Sequence, residues 1–367
     1  MQSTKLVETW GCIDLVALEQ NVLHIEGWVG SIKGESVDGF IVCCGGKEFI
    51  EFELTKGIFR PDVKAAFPNL DCNEHARFNI RVPLNQEEHK QVQNSLLSLT
   101  PLVGNYQGYT LLNIIEPSIP LPSQENSHLV GGNFLRVAFE FLGHLVNRAG
   151  LQRTDKVLDV GCGTGRIAYA LTYYLSPVAG YEGFDIVEQL VQWAQQTITP
   201  RFPNFNFRKV DIYNQYYNPN GTQRAAEFIF PYEDEYFDFV FLTSVFTHMQ
   251  AQEVYHYLDE IHRVLKPGGR CLCTSFLLNE QSERLIAVGK SSQNLVYELK
   301  ECFTNNPEVP ESVIGYQESL LLQWMMDYGL TVQAKYYGCW CGRDEFTSYQ
   351  DILVLKKESV GRMRDEG

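Results

Sequence analysis

At 367 residues the chain exceeds one ordinary domain and suits two, and its 44% hydrophobic content leaves material for sizeable cores. A formal charge of −15 argues against nonspecific binding to nucleic acid or an anionic membrane, which needs a basic face, and no apolar run approaches the ~20 residues that span a bilayer. The opening residues Met1 to Glu8 lack the basic and apolar regions of a secretory signal, so a cytoplasmic chain with reduced thiols is expected. Its ten cysteines, including Cys43-Cys44, Cys271-x-Cys273 and Cys339-x-Cys341, form none of the C-x-x-C pairs of a zinc site.

From Thr9 to Pro117 the chain alternates short β-branched or period-two runs with turns. Strands are expected at Cys12–Leu18, Val22–Val29, Val37–Cys44, Glu48–Leu54, Arg77–Val82, Ser95–Leu99 and Tyr109–Ile114, with Gly45-Gly46 as a hairpin turn. Seven short strands without a helical stretch predict an antiparallel β-sandwich over residues 1–117. Trp28 in Gly27-Trp28-Val29 reads as a core residue, a partner contact or a platform for a sugar ring, and Arg60 and Asp62 as a local ion pair. A linker, residues 118–130, follows directly on Pro117 and carries Pro120 and Pro122, and its His128 reads as solvent-exposed or facing a substrate.

Residues 131–357 change character. Phe134, Val137, Ala138, Phe141, Leu142, Leu145 and Val146 recur at helical spacing, and Gly150 is placed to end that helix. The apolar run Val157-Leu158-Asp159-Val160 then reads as a buried parallel strand that breaks at Gly161-Cys162-Gly163-Thr164-Gly165 before a helix. Such a strand, glycine turn and helix put bare backbone at the carboxyl edge of a parallel sheet, where open α/β folds bind ligands. Three more strand-like runs end at Asp185-Ile186, at Asp211-Ile212 and at Leu242-Thr243-Ser244-Val245-Phe246-Thr247-His248. The insert Tyr213–Gly221 leaves a strand's carboxyl end and is long enough to reach a pocket. An amphipathic helix over Ala251–Leu265, the stop Lys266-Pro267-Gly268-Gly269 and a strand at Arg270–Thr274 come next, then an interrupted helical stretch, Asn279–Pro310, as a lid. The helix Tyr316–Tyr328 precedes an antiparallel pair, Leu330–Tyr336 and Tyr349–Leu355, whose joining loop carries Trp340 and Arg343. Residues 358–367 read as a polar tail.

VLDVGCGTGR, the acidic strand ends, FDFVFLTSVFTHM and RVLKPGGR stand in this order, and with them the region from about Gly131 to Lys357 resembles a class I S-adenosylmethionine-dependent methyltransferase. The resemblance implies an α/β fold, a Rossmann-like seven-stranded sheet carrying S-adenosyl-L-methionine at its carboxyl edge and releasing S-adenosyl-L-homocysteine. It lays the helix after Gly131-Gly132 across the cofactor. Gly161, Gly163 and Gly165 would let backbone approach the methionine end, with Asp159 orienting the loop or the ammonium. Asp185, ~20 residues past the last glycine, would accept from both ribose hydroxyls. Asp211 would accept from the adenine amino group, with Ile186, Ile212 and Thr243 beside the cofactor; a helix cap is the other reading of each aspartate, and the order of the motifs favours ligand contact. The amino-terminal half is similar to small β-sandwich modules fused to bacterial glycosyltransferases and glycan-modifying methyltransferases.

A hydroxyl acceptor with a pKa well above 7 benefits from a base, and His248, just past the fourth strand, has the position and the pKa for it. Its other reading is a helix-start or exposed histidine. His128, Tyr217, Thr247, Tyr316, Trp340 and Arg343 are the candidate substrate contacts. Thr243–Met249 carries no carboxylate for magnesium, so no metal is expected. The expectation is a metal-independent O-methyltransferase acting on a saccharide or small molecule. N- or C-methylation of a natural-product intermediate, or cofactor binding without turnover, stands beside it.

Overall fold

The computed structural model describes residues 6–31, 36–66, 75–123 and 132–358. Its contacts divide the chain into two units. One holds the described residues up to Leu121 with Asn133–Asn147 and Tyr169–Tyr174, and the other the remainder.

In the first unit, strands Thr9–Glu19, Val22–Ser31, Arg77–Pro83 and Glu53–Ile58 pair antiparallel in that order. A second sheet runs Leu6–Val7, Tyr106–Gly108, Leu96–Val103, Gly39–Cys44 and Lys47–Phe49, with Leu111–Ile114 also on Leu96–Val103. Period-two alternation sends one face of each sheet inward. Leu23, Ile25, Phe78, Ile80 and Val82 of the first meet Phe40, Val42, Cys44, Leu97 and Leu99 of the second in one core. Two features depart from the expected pattern. Leu6–Val7 pairs parallel to Tyr106–Gly108, and helices Pro61–Ala66 and Gln86–Val92 interrupt the strands. The second of these is set by a capping box, Asn85 accepting from the Glu88 amide while Glu88 accepts from Asn85. Trp28 is 9% exposed, packed with Val63, Ala76, Trp10 and Cys12, so it offers no face to a sugar ring. Arg60 forms its ion pair with Asp62 at 2.7 Å and reaches Asp14 as well.

Helix Phe134–Asn147 groups with this unit, where the Asn147 side chain exchanges two hydrogen bonds with the Thr110 backbone. The resemblance placed that helix over the cofactor. Gly131 and His128 lie outside the described residues.

The second unit is built on a seven-stranded sheet in the order Phe205–Lys209, Tyr181–Asp185, Val157–Val160, Phe237–Leu242, Leu265–Ser275, Asp351–Lys357, Leu330–Tyr336. The first five are parallel and the last two antiparallel. All four residues of Val157–Val160 are buried, as a central strand covered on both faces requires. The apolar stripe of helix Ala251–Val264, with Val254, Leu258 and Ile261 at 0% exposure, packs with Val240, Leu242, Cys271 and Cys273. Asn279–Pro310 corrects the expected lid helix. Only Glu280–Ala287 is α-helical there. Leu277–Leu278 before it and three strands after it form a small sheet in the order Leu277–Leu278, Ile314–Gln317, Cys302–Thr304, Tyr297–Leu299, with a two-residue hairpin in which Glu301 takes φ +64°. Among the described residues no helix is long and apolar enough to cross a membrane.

Candidate functional site

The parallel strands end at one edge of the sheet, and a cleft of about 1170 Å³, continuous with solvent, opens there in the second unit. The glycine turn forms one wall. The Gly161 and Cys162 amides donate to the Phe184 carbonyl at 2.9 and 3.0 Å, and the Gly165 amide closes the turn on Cys162. Gly161, Gly163 and Gly165 all take positive φ, between +53° and +77°. A Cβ on Gly161 would stand 2.5 Å from Val245 Cγ2, so only glycine leaves this wall both bare and in place.

Asp185 ends the neighbouring strand and lines the cleft. Its Oδ2 accepts from the Gly163 amide and its Oδ1 from the Val187 amide, each at 2.8 Å. Each oxygen keeps a further lone pair for a ligand hydroxyl. Burial raises its pKa, against those amides, which favour the charged form. Asp159, 2% exposed, accepts from the Tyr181 hydroxyl at 2.7 Å, and burial pushes its carboxyl up to about 8, with Asp185 adding to the rise. Ile186, Leu190, Ile212 and Ala225 give the cleft an apolar side.

The opposite side carries His248, in the single turn Phe246–His248 after strand Phe237–Leu242. The Glu311 carbonyl lies 2.9 Å from Nδ1 and must take a proton from it, which leaves Nε2 as an acceptor, with the Tyr217 hydroxyl donating to it at 3.4 Å. The Tyr217 ring meets the imidazole edge-on at 5.0 Å, with Tyr216 parallel to the imidazole beyond. Burial lowers the pKa of His248 from 6.5, so the neutral ring is favoured at neutral pH. The Tyr217 phenol is pushed up to about 12, mainly by burial. Asn214, 8% exposed, fixes the loop: it donates to the His248 carbonyl at 3.0 Å and accepts from the Tyr216 and Tyr217 amides.

Of the residues singled out in the sequence, Asp159, Gly161, Gly163, Asp185, Ile186, Ile212, Tyr217, Thr243 and His248 line this cleft. The rest have other surroundings. Gly165 is a packing position, where a Cβ would come within 2.8 Å of the Phe207 ring. The Asp211 carboxylate accepts from the Thr222 hydroxyl at 2.5 Å and faces Lys209 at 3.6 Å, so it is engaged within its own loop rather than lining the cleft. Thr247 is buried at 1% exposure, its hydroxyl without a hydrogen-bond partner.

Tyr316 is fully buried and donates to the Met249 carbonyl, which braces the cleft from behind. Trp340 is fully buried and gives its indole N–H to Asp351 at 2.7 Å, while Arg343, 5% exposed, pairs with the same carboxylate at 3.3 Å. Asp351, Trp340 and Arg343 therefore tie down the 338–350 loop and are not substrate contacts.

Arg166, Asn214, Glu253 and Tyr257 line the cleft without having been anticipated. Glu253 had a legible signal: Gln250 and Glu253 stand three apart at a helix start, and the Gln250 amide donates to Glu253 at 2.7 Å in a capping box. Burial, aided by the charge of Glu311, pushes the Glu253 carboxyl up to about 7. Among the described residues no group of three or more His, Cys, Asp or Glu is placed to hold a metal ion.

Residues 158–273 match the family of methyltransferase domains. The demethylmenaquinone methyltransferase of Staphylococcus epidermidis is 28% identical over 130 residues, which are 35% of this chain and 46% of that protein. Its Staphylococcus aureus counterpart is 31% identical over 124 residues, 34% of this chain and 44% of that protein. The chain thus spans less than half the length of these curated relatives. A crystal structure described as an S-adenosylmethionine-dependent methyltransferase from Methanosarcina mazei is 21% identical, covers 57% of this chain and 94% of that one, and superposes with a TM-score of 0.38.

Proposed function

We propose that this chain, whose residues 158–273 are a class I S-adenosyl-L-methionine-dependent methyltransferase domain with that compound as its cofactor, methylates a hydroxyl of a saccharide or small-molecule acceptor without a metal ion. The cleft fits the cofactor on two counts. The wall at Gly161 and Gly163 is bare backbone at positive φ, with a Cβ on Gly161 colliding with Val245, and Asp185 keeps lone pairs for a diol beside the apolar surface of Ile186 and Ile212. When bound, S-adenosyl-L-methionine supplies a methyl group on a positive sulfonium, open to in-line displacement.

The observation that carries the hydroxyl reading is His248. With Nδ1–H given to the Glu311 carbonyl, its Nε2 is a base within the cleft, able to take the acceptor proton as the oxygen attacks. Fixing that base and the acceptor in line supplies rate through position alone. Tyr216 and Tyr217, 56% and 38% exposed, offer ring faces to the C–H face of a sugar or to an aromatic ring. A second reading takes its support from the demethylmenaquinone methyltransferases: the same base acting on a phenol activates the ring carbon for C-methylation.

The test is incubation with methyl-labelled cofactor and a panel of saccharides, phenols and aliphatic alcohols, with the labelled atom located by NMR. Label on oxygen supports the hydroxyl reading, label on carbon the second, and label on nitrogen rejects both. A chelator should leave the activity intact; loss restored only by magnesium overturns metal independence. Asp185→Ala should weaken cofactor binding in calorimetry at least tenfold, about 1.4 kcal/mol. Unchanged affinity removes the ribose assignment.

A further inference from the structure

Glu311 sits in the turn Pro310–Ser312, well outside the residues that match the methyltransferase domain, and is only 4% exposed. Its carboxylate is shared between two elements of the cleft. Oε2 accepts from the Gln215 backbone amide at 2.5 Å, and Oε1 from the Gln250 side-chain amide at 3.3 Å. Gln215 precedes Tyr216 and Tyr217 in the loop, and Gln250 caps helix Ala251–Val264 directly after His248 and Met249. The carbonyl of the same residue takes the His248 Nδ1–H at 2.9 Å. A further bond, from Gln215 Nε2 to the Glu308 carbonyl at 3.1 Å, fastens the same two segments.

We infer that Glu311 is a positioning residue for His248: its carboxylate docks the 310–312 turn on the tyrosine loop and the helix cap, and so holds its own carbonyl where it fixes the imidazole tautomer. A neutral imidazole left to itself takes either tautomer, and the one protonated on Nε2 cannot accept a proton from a substrate. The sequence between Leu277 and Gln317, folded as the small sheet with its flanking turns, therefore completes the site rather than covering it. Besides Glu311 itself, the titratable groups around the imidazole are Tyr216 and Tyr217 on the loop, Glu253 on the helix and Asp185 across the cleft.

The inference rests on the proposed role of His248 only for its effect on turnover. The ring tautomer is read independently, by ¹⁵N-histidine NMR of the full chain titrated over pH 5–8. The parent should show His248 protonated on Nδ1, with a pKa below 6.5. In Glu311→Ala the signal should become a mixture of tautomers and its pKa rise toward 6.5 as the ring gains water, with kcat falling tenfold to about a hundredfold and cofactor affinity unchanged. Glu311→Gln keeps an acceptor for Gln215 and should restore the parental tautomer and most of kcat.

Should Glu311→Ala not fold, Gln250→Ala removes the side-chain donor to Glu311 while leaving the Gln215 bond, and should move the same two readouts in the same direction by a smaller amount. A parental tautomer and pKa in Glu311→Ala overturn the inference. So does a Glu311→Gln variant as impaired as the alanine, and, where Gln250→Ala stands in, an unmoved tautomer and pKa. If instead His248→Ala keeps normal turnover, the base assignment fails while the tautomer result still decides the role of Glu311.

Discussion

His248→Ala should cut turnover about 10²-fold and leave cofactor affinity in calorimetry unchanged. The size follows from the arrangement around the ring. Nδ1 is committed to the Glu311 carbonyl, the imidazole lies against Tyr217, and burial holds its pKa below 6.5. A group so placed is mostly deprotonated at pH 7 and gives an acidic limb to the rate profile. As pH falls through the lowered pKa the base is protonated and the rate declines. In the alanine variant that limb should vanish, leaving a slow rate carried by alignment of acceptor and methyl donor alone.

Glu253 is the competing source of such a limb, since burial raises its carboxyl to about 7 and it lines the same cleft. The two are separable. A parental limb clearly below 6.5 that disappears in His248→Ala belongs to the histidine. A limb near 7 that survives in His248→Ala and disappears in Glu253→Gln belongs to the glutamate and moves the base there. Near-normal turnover in His248→Ala refutes its role outright.

Val157–Val160 and Tyr181–Asp185 were legible because each is a largely buried run that meets glycine or aspartate at one edge, and local pattern alone fixes that. Gly161, Gly163, Asp185 and His248 follow from the same logic: Asp185 closes its strand, and the other three lie in the turns that leave Val160 and Leu242 at that edge. Legibility failed where a residue's partner is distant in sequence. Asp211 has the same strand-end position as Asp185, yet Thr222, eleven residues on, captures its carboxylate as the loop doubles back through the Ile212–Gln223 bridge. Trp340 and Arg343 have the composition of a binding loop, and only Asp351, brought in by the antiparallel edge, makes them structural. Tyr297–Leu299 and Cys302–Thr304 lie in a stretch with no decisive period. Pairing with each other and with Ile314–Gln317 makes them strands, which is tertiary context overriding a weak helical pattern.

Asp159→Asn should make stability much less sensitive to pH. Asp159 stands in the middle of the central strand, fully enclosed, with the Tyr181 hydroxyl as its hydrogen-bond partner, and its pKa of about 8 compares with about 3.9 for an unfolded aspartate. The folded chain therefore binds a proton that the unfolded chain releases between those two values. Its contribution to stability is complete below pH ~4, is lost progressively as pH rises, and is gone above ~8, a difference on the order of 5 kcal/mol across the window. Asparagine has the same shape, can accept from Tyr181, and cannot ionise.

Other buried groups titrate in the same range, with Glu253 and Asp351 raised and His248 lowered. They are present in both proteins, so the quantity to follow is the difference in unfolding free energy between Asp159→Asn and the parent, from urea titrations at pH 5, 6.5, 8 and 9. That difference should climb in favour of asparagine from pH 5 to 8 and then level off. Parallel curves would mean that Asp159 is already ionised in the folded protein at neutral pH. The strand would then present the cofactor with a standing negative charge rather than a neutral acid, and the Tyr181 hydroxyl would be what stabilises it.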